Sequence, residues 1–267
     1  MTNAPRFKPV LCVVLRALPR PLAVLASALV TALAGATVAL AADATACTAR
    51  SGPTVAPVVE LYTSEGCSSC PPADRWLSRI APDAEAVALA FHVDYWDRLG
   101  WKDRFASAAH TLRQGQQQAT NGARFSYTPQ VVVDGADRKD WSVVRLPLKT
   151  AALSQVQVTL AREGDRFVAR VEPVAGGPGR LAAYWAVTEA NHVTSVRAGE
   201  NDGVTLRHDF VVREYRPVAA WEALAGAPSS LSFTPASAAD PLHARQVNLV
   251  VLNAQTGRPV QAVKLGC

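Results

Sequence analysis

Two cysteines three residues apart, Cys67 and Cys70, are the residues of this sequence best placed to do chemistry, in the stretch Tyr62-Thr63-Ser64-Glu65-Gly66-Cys67-Ser68-Ser69-Cys70-Pro71-Pro72-Ala73-Asp74. A thiolate attacks a disulfide sulfur to form a mixed disulfide, and a second thiol nearby displaces the partner. The pair therefore suits thiol-disulfide exchange, with Cys67 attacking and Cys70 resolving. A lone C-x-x-C is also half of a zinc site, or a short structural disulfide. Context separates these readings. Val58-Val59-Glu60-Leu61-Tyr62 is apolar and β-branched, as a buried parallel strand is, and Ala73 to Ile80 carries apolar residues at helical spacing. Pro71 and Pro72 fall where a helix's first turn tolerates a missing N–H, so a helix is predicted over 70–81. A Cys67 thiolate would then face the helix's unsatisfied N–H groups, which lowers a thiol pKa.

A second stretch supports the redox reading. In Ser126-Tyr127-Thr128-Pro129-Gln130-Val131-Val132-Val133-Asp134-Gly135, a proline opens an apolar strand that ends in a turn. A thioredoxin-like sheet places such a proline opposite its cysteine pair, with the Thr-Pro bond cis; an ordinary trans proline at a strand start is the alternative, and the spacing after the C-x-x-C favours the first for Pro129. Together with His92-Val93-Asp94-Tyr95-Trp96-Asp97, Leu99-Gly100-Trp101-Lys102-Asp103 and Arg113-Gln114, these motifs resemble an exported bacterial family that is catalogued only as a domain of unknown function. The resemblance continues through Gly199-Glu200-Asn201-Asp202-Gly203 and Val211-Val212-Arg213-Glu214. It implies a thioredoxin-like core and says almost nothing about substrate. The run Gln114-Gly115-Gln116-Gln117-Gln118-Ala119 departs from the pattern, because an aromatic is expected after Arg-Gln, so no role is carried onto it.

The elements that must position the pair follow from the hydrophobic pattern. Strands near 57–63 and 86–95 alternate with helices near 70–81 and 101–120, the Pro129 strand follows, and a last helix is expected over Trp141 to Leu153. Such alternation implies a largely parallel sheet, whose carboxyl edge would hold both Cys67 and Asp94. Asp94 is a candidate for proton transfer during exchange, or a carboxylate that caps its loop. His92 shares its strand face and is either a buried, satisfied histidine or, with both thiols, part of a soft ligand set. Tyr95, Trp96 and Trp101 either rim a peptide groove or pack a long connection. From residue 154 the pattern changes to alternating strands near 156–160, 167–171, 181–187, 204–213, 230–234 and 245–252, with a last strand ending at Leu265 and a loop over 217–229. His192, His208 and His243 are scattered there without metal spacing. The expected fold is thus an α/β thioredoxin-like domain (42–153) followed by an all-β antiparallel sandwich domain (154–267). The second would hold a partner or shield the first.

Residues 1–41 read as an export signal: Arg6, Lys8, Arg16 and Arg20 precede an Ala-rich apolar run, and Ala39-Leu40-Ala41 offers a cleavage site before Ala42. An uncleaved anchor is the alternative, since about 20 apolar residues span a bilayer. Removing the leader takes away four positive charges and no acids, so the formal +5 falls to +1 and no basic stripe is left to suggest nucleic acid. Of the five cysteines, Cys12 goes with the leader, leaving the motif and one cysteine near each end, Cys47 and Cys267. In an oxidising compartment these two are expected to pair; Cys47 lipidated or free is the competing reading.

The sequence is therefore read as a periplasmic or secreted thiol-disulfide oxidoreductase that acts through Cys67, Cys70, Pro129 and Asp94 on the thiols or disulfides of exported proteins. No cofactor, metal or nucleic acid is called for, and membrane contact arises only through a retained leader or a lipidated Cys47. The alternative is an extracytoplasmic binding protein, either a copper handler using Cys67, Cys70 and His92, or a module with a structural C-x-x-C disulfide.

Overall fold

A computed structural model describes residues 47–80, 85–148 and 150–267, so the expected leader and Cys12 lie outside the described residues. Among the described residues, fourteen strands and two α-helices follow in the order β1 (Thr48–Arg50), β2 (Val58–Thr63), α1 (Pro71–Leu77), β3 (Val87–His92), α2 (Ala108–Thr120), β4 (Gln130–Val133), β5 (Ala136–Asp137), β6 (Val156–Glu163), β7 (Arg166–Pro173), β8 (Arg180–Glu189), β9 (His192–Ser195), β10 (Thr205–His208), β11 (Val211–Glu222), β12 (Ser229–Phe233), β13 (Arg245–Asn253) and β14 (Pro259–Leu265).

Eight of these strands form one mixed sheet in the order β14-β13-β8-β11-β3-β2-β4-β5. Only β11–β3 and β3–β2 run parallel; β4 returns antiparallel to β2, and the rest of the sheet is antiparallel. A four-stranded antiparallel sheet, β1-β6-β7-β12, faces part of it, and β9 pairs with β10 alone. The expected α/β thioredoxin-like domain followed by an all-β sandwich is therefore corrected: the described chain is mostly strand, and strands from both halves share one sheet. The reason is an edge. The βα alternation that marks β2, α1 and β3 is local, but the unpaired backbone along β3 is taken by β11 from the far half of the chain, with Val211 opposite Ala90.

Other expectations shift for local reasons. The helix placed over Trp141 to Leu153 is only a 3-10 turn at Trp141–Val143, because Pro147 cannot sit inside a helix without removing a hydrogen bond and clashing. The helix placed over 101–120 starts at Ala108, where Ser107 adopts extended geometry and its side chain accepts from the His110 N–H. The loop placed over 217–229 is strand as far as Glu222; Pro217, which argues against a strand, pairs with Tyr184 there. The Asp134-Gly135 turn is as read, both residues having positive φ, of 51° and 76°.

Alternation along the strands gives the large sheet two buried faces. Val59, Leu61, Ala88, Ala90 and Val131 pack under Trp76 and Leu77 of α1. Farther along, Leu181, Ala183, Trp185 and Leu249 pack against Val158, Leu160 and Val171 of the small sheet. The opposite face carries Tyr62, Phe91, Tyr184 and Val212. There α2 is tied down by polar contacts: Arg113 Nη2 donates to Glu60 Oε1 at 2.6 Å and Gln117 Nε2 to Glu60 Oε2 at 2.9 Å. A disulfide joins Cys47 to Cys267 across 220 residues, so the expected pairing of the two ends is present. Among the described residues no helix is long and apolar enough to cross a membrane.

Candidate functional site

The chain leaves β2 at Thr63 and turns sharply before α1. Gly66 N–H donates to Ser64 Oγ at 3.1 Å, and Cys67 N–H donates to Ser64 O at 3.1 Å. A Cβ on Gly66 would lie 3.2 Å from Trp96 Cβ, tighter than an ordinary contact, so a larger residue there would press on Trp96. Cys70 occupies the N-cap position of α1, with prolines at the first two helical positions, as the spacing predicts. The two cysteines form a disulfide. Two hydroxyls reach its first sulfur: Thr128 Oγ1 donates to Cys67 Sγ at 3.3 Å, and Ser69 Oγ lies 3.5 Å away and must also donate, since a disulfide sulfur carries no hydrogen. Thr128 is itself fixed by Trp96 Nε1 at 2.8 Å, and the Thr128–Pro129 bond is cis. The structure thus brings Cys67, Cys70 and the Thr128-Pro129 corner together.

Sequence reasoning missed what lies over this turn. Cys67 and Cys70 are 0% and 1% exposed, and the segment after β9 helps to close them in. Asn201 Nδ2 donates to Glu65 O at 2.8 Å and to Cys67 O at 3.0 Å. Glu200 Oε2 accepts from Ser68 N–H at 3.0 Å and Ser68 Oγ at 2.8 Å, bonds that lower its carboxyl pKa. The Gly199-Glu200-Asn201-Asp202-Gly203 motif was the only sequence signal, and it did not say what the segment would touch. Each hydrogen bond is worth roughly 0.5–1.5 kcal/mol and each 1.4 kcal/mol is tenfold in an equilibrium. Asn201→Ala is accordingly expected to raise the rate at which dithiothreitol reduces the Cys67–Cys70 disulfide about tenfold, read by timed alkylation. An unchanged rate would mean that this clasp does not control access.

Below the turn lies a buried polar cluster. His92 Nδ1 is 2.7 Å from Asp103 Oδ2, which also accepts from Glu65 N–H at 2.9 Å. Burial opposes the Asp103 charge, but His92 and the N–H groups of Glu65 and Phe105 outweigh it, and its pKa is lowered to about 2. His208 stands between Asp74 Oδ1 at 3.6 Å and Glu65 Oε1 at 3.5 Å. Burial disfavours its cation, yet those two carboxylates prevail and raise its pKa to about 9. His110, whose Nδ1 lies 3.0 Å from the His92 carbonyl, is pushed down to about 4 by burial and is neutral. The histidines that look scattered in sequence resolve into two groups: His208 meets His92 at a ring separation of 4.9 Å, and His192 stacks on His243 at 3.7 Å.

Asp94 stands apart from the groups bonded to the sulfur. Its Oδ1 accepts from Thr111 Oγ1 at 2.6 Å, the contact expected of a carboxylate that caps its loop. His92 is turned to Asp103 and His208 and is not a third ligand beside the thiols. Trp96 packs over the turn, and Trp101 Nε1 donates to Glu65 Oε2 at 2.7 Å, so these indoles hold the site's frame.

The family model described as a protein of unknown function, DUF1223, matches residues 58–252. The chain belongs to that family. The DUF1223 span takes in the cysteine turn, the Thr128-Pro129 corner, the Glu200-Asn201 clasp and the buried cluster; the Cys47–Cys267 bridge falls outside it. Among solved structures, the chain is similar to a protein of Agrobacterium tumefaciens determined by X-ray crystallography, with 28% identity over 80% of this chain and 96% of that one, at a TM-score of 0.58. HBP35 of Porphyromonas gingivalis shares the fold at 17% identity, over 80% of this chain and 76% of that one, with a TM-score of 0.51. No curated protein matches the sequence. A DUF1223 membership names no activity; the Cys67–Cys70 disulfide is compatible with a redox or a structural role, and two disulfides in one chain point to an oxidising, extracytoplasmic environment.

Proposed function

We propose that the protein is a thiol-disulfide oxidoreductase of the periplasm or the secreted fraction, acting on exported proteins. The observation that carries this reading is the disulfide at a strand-to-helix turn with two hydroxyls aimed at Cys67 Sγ. Hydrogen bonds to a charged group favour the charged form, so Thr128 and Ser69 stabilise a Cys67 thiolate once the pair is reduced. That thiolate attacks one sulfur of a partner disulfide, and the partner's other sulfur leaves as a thiolate. Cys70 thiolate then attacks Cys67 Sγ, re-forms the Cys67–Cys70 bond and releases the partner's second thiolate; two electrons have passed to the partner. Run backwards, the same steps oxidise a partner dithiol. Pro129, beside Thr128, is the wall on which the partner's chain lies. Asp94, held by Thr111, is given no proton-transfer step.

Cys70→Ser is expected to accumulate mixed disulfides through Cys67, visible as reductant-sensitive adducts on gels and located by peptide mass. No adducts from a folded variant with a free Cys67 would count heavily against exchange. A second reading, a structural disulfide, is favoured by one observation, the near-complete burial of both cysteines. The midpoint potential separates the two: roughly −120 to −270 mV fits exchange, and a value below about −300 mV fits a structural bond.

A further inference from the structure

The buried cluster beneath the cysteine turn has a geometry that exchange chemistry leaves unused. Asp74 of α1, His92 of β3 and His208 of β10 each place one ligand atom within 4.8 Å of the others, and the three residues are 6%, 0% and 3% exposed. A carboxylate from outside the three faces one nitrogen of each imidazole: His92 Nδ1 is 2.7 Å from Asp103 Oδ2, and His208 Nε2 is 3.5 Å from Glu65 Oε1. This leaves His92 Nε2 and His208 Nδ1. The first is buried with no hydrogen-bond partner, and the second faces Asp74 Oδ1 at 3.6 Å. Asp74 is oriented in turn, because its Oδ2 accepts from Thr63 Oγ1 at 2.9 Å.

Metal-binding histidines are held in this way, with the outer ring nitrogen on a carboxylate and the inner nitrogen facing the ion; His208, a cation between its two carboxylates, gives up its Nδ1 proton when the ion binds. We propose that Asp74, His92 and His208 form a site for a divalent transition-metal ion of the zinc type, with Asp103 and Glu65 orienting the two imidazoles. Two imidazoles and one carboxylate suit zinc and its neighbours rather than calcium or magnesium, which take oxygen ligands. Zinc–nitrogen bonds of about 2.0–2.1 Å put tetrahedral ligands roughly 3.3 Å apart, so loading closes the widest of these separations by at most about 1.5 Å, while Asp74 and His208 already stand 3.6 Å apart. A surface cavity lined by Pro71, Asp74, Arg75, Leu206, Arg207 and His208 reaches two of the three ligands from outside. Its two arginines disfavour rapid entry of a cation, so loading is measured at equilibrium. The ligands come from α1, β3 and β10, so the ion would pin the helix capped by Cys70 to strands from both halves of the chain. The site shares no ligand with the disulfide and stands or falls independently of the exchange reading.

The test is equilibrium dialysis of the chelator-stripped full-length protein against Zn²⁺, with metal counted by mass spectrometry, and against Co²⁺, read by visible absorption. One equivalent per chain is expected, with a cobalt spectrum of nitrogen and oxygen ligands and no sulfur-to-cobalt charge-transfer band. His208→Gln and Asp74→Asn are expected to weaken binding at least 100-fold, and Asp103→Asn, which removes the carboxylate that orients His92, about 10–100-fold. The Cys67→Ser/Cys70→Ser double variant is expected to keep full affinity. Circular dichroism checks that each variant folds, and if a ligand variant fails to fold, the cobalt spectrum of the parent protein decides. The proposal is overturned if the folded parent takes up no metal, if its cobalt spectrum shows sulfur ligation, or if binding is lost with the cysteines and kept in folded His208→Gln.

Discussion

Arg113→Ala is expected to destabilise the fold by about 3–5 kcal/mol, because it leaves a buried carboxylate without its counter-charge. Arg113 and Glu60 are both almost inaccessible, with side chains 5% and 2% exposed and 2.6 Å between Nη2 and Oε1. Around Glu60 the hydroxyls of Tyr62 and Tyr184 donate at 2.6 and 2.5 Å, and Gln117 donates at 2.9 Å. These groups come from β2, α2 and β8, so the network joins the helix to strands from both halves of the chain. Burial alone would raise the Glu60 pKa, but the Arg113 charge, with hydrogen bonds from Arg113, Tyr184 and Tyr62, lowers it below its ordinary value of 4.5. A folded pKa below the unfolded one gives stability that is present above about pH 4.5 and lost as pH falls through the folded value. In Arg113→Ala the counter-charge is gone and burial raises the Glu60 pKa instead, so the variant gains relative stability when Glu60 is protonated. The deficit against the parent should therefore be largest near neutral pH and shrink toward pH 4. Urea unfolding at both pH values measures this; an equal deficit at the two would sink the ion-pair account. A double variant, Arg113→Met with Glu60→Gln, should be less destabilised than Arg113→Ala, since no lone charge remains.

What the sequence disclosed was local. The cysteine turn, the prolines opening α1, the strand after Pro129 and the Asp134-Gly135 turn each depend on neighbours within a few residues, and all four are where the pattern puts them. The second cysteine pair was legible from compartment logic, because an even count left Cys47 and Cys267 with each other. What stayed hidden depends on long-range pairing. No period in the sequence says that β11 will fill the edge of β3, and that pairing replaces the expected α/β thioredoxin-like domain and following sandwich with a shared mixed sheet. The same return of the chain sets Asn201 against Cys67 O and His208 against His92. The glutamine run of α2 shows the limit in another way. Gln114 and Gln117, given no role from the sequence, are both buried, bonded to Gln130 and Glu60 on the sheet beneath. Composition marks such residues as solvated, and only the tertiary partner reveals otherwise.

Removing the Cys47–Cys267 bridge by double serine substitution is expected to cost about 2–4 kcal/mol, the usual range for a native disulfide. The bridge has a Cα–Cα distance of 6.2 Å. Cys47 precedes β1, an edge strand of the four-stranded sheet, and Cys267 follows β14, an edge strand of the eight-stranded one. The link therefore ties together the two layers that enclose the Trp185 core, against which Cys47 itself packs. Hydrogen bonds already tie both ends to Arg162: its backbone N–H donates to Cys47 O at 2.9 Å, and its Nη1 donates to Cys267 O at 3.4 Å. The serine variant should consequently keep its native far-ultraviolet spectrum and lose stability mainly through a freer unfolded chain, with a lower urea midpoint and a steeper denaturant slope. Linkage gives a second readout. If the bridge stabilises the fold by about 2–4 kcal/mol, the fold lowers the bridge's reduction potential by the same energy, roughly 40–90 mV at 30 mV per 1.4 kcal/mol. On one redox titration of the parent protein, the Cys67–Cys70 pair should then reduce at the higher potential, because exchange requires a bond that opens while the rest of the fold holds. The reverse order, with the terminal bridge opening first and the motif resisting, would assign the motif to structure.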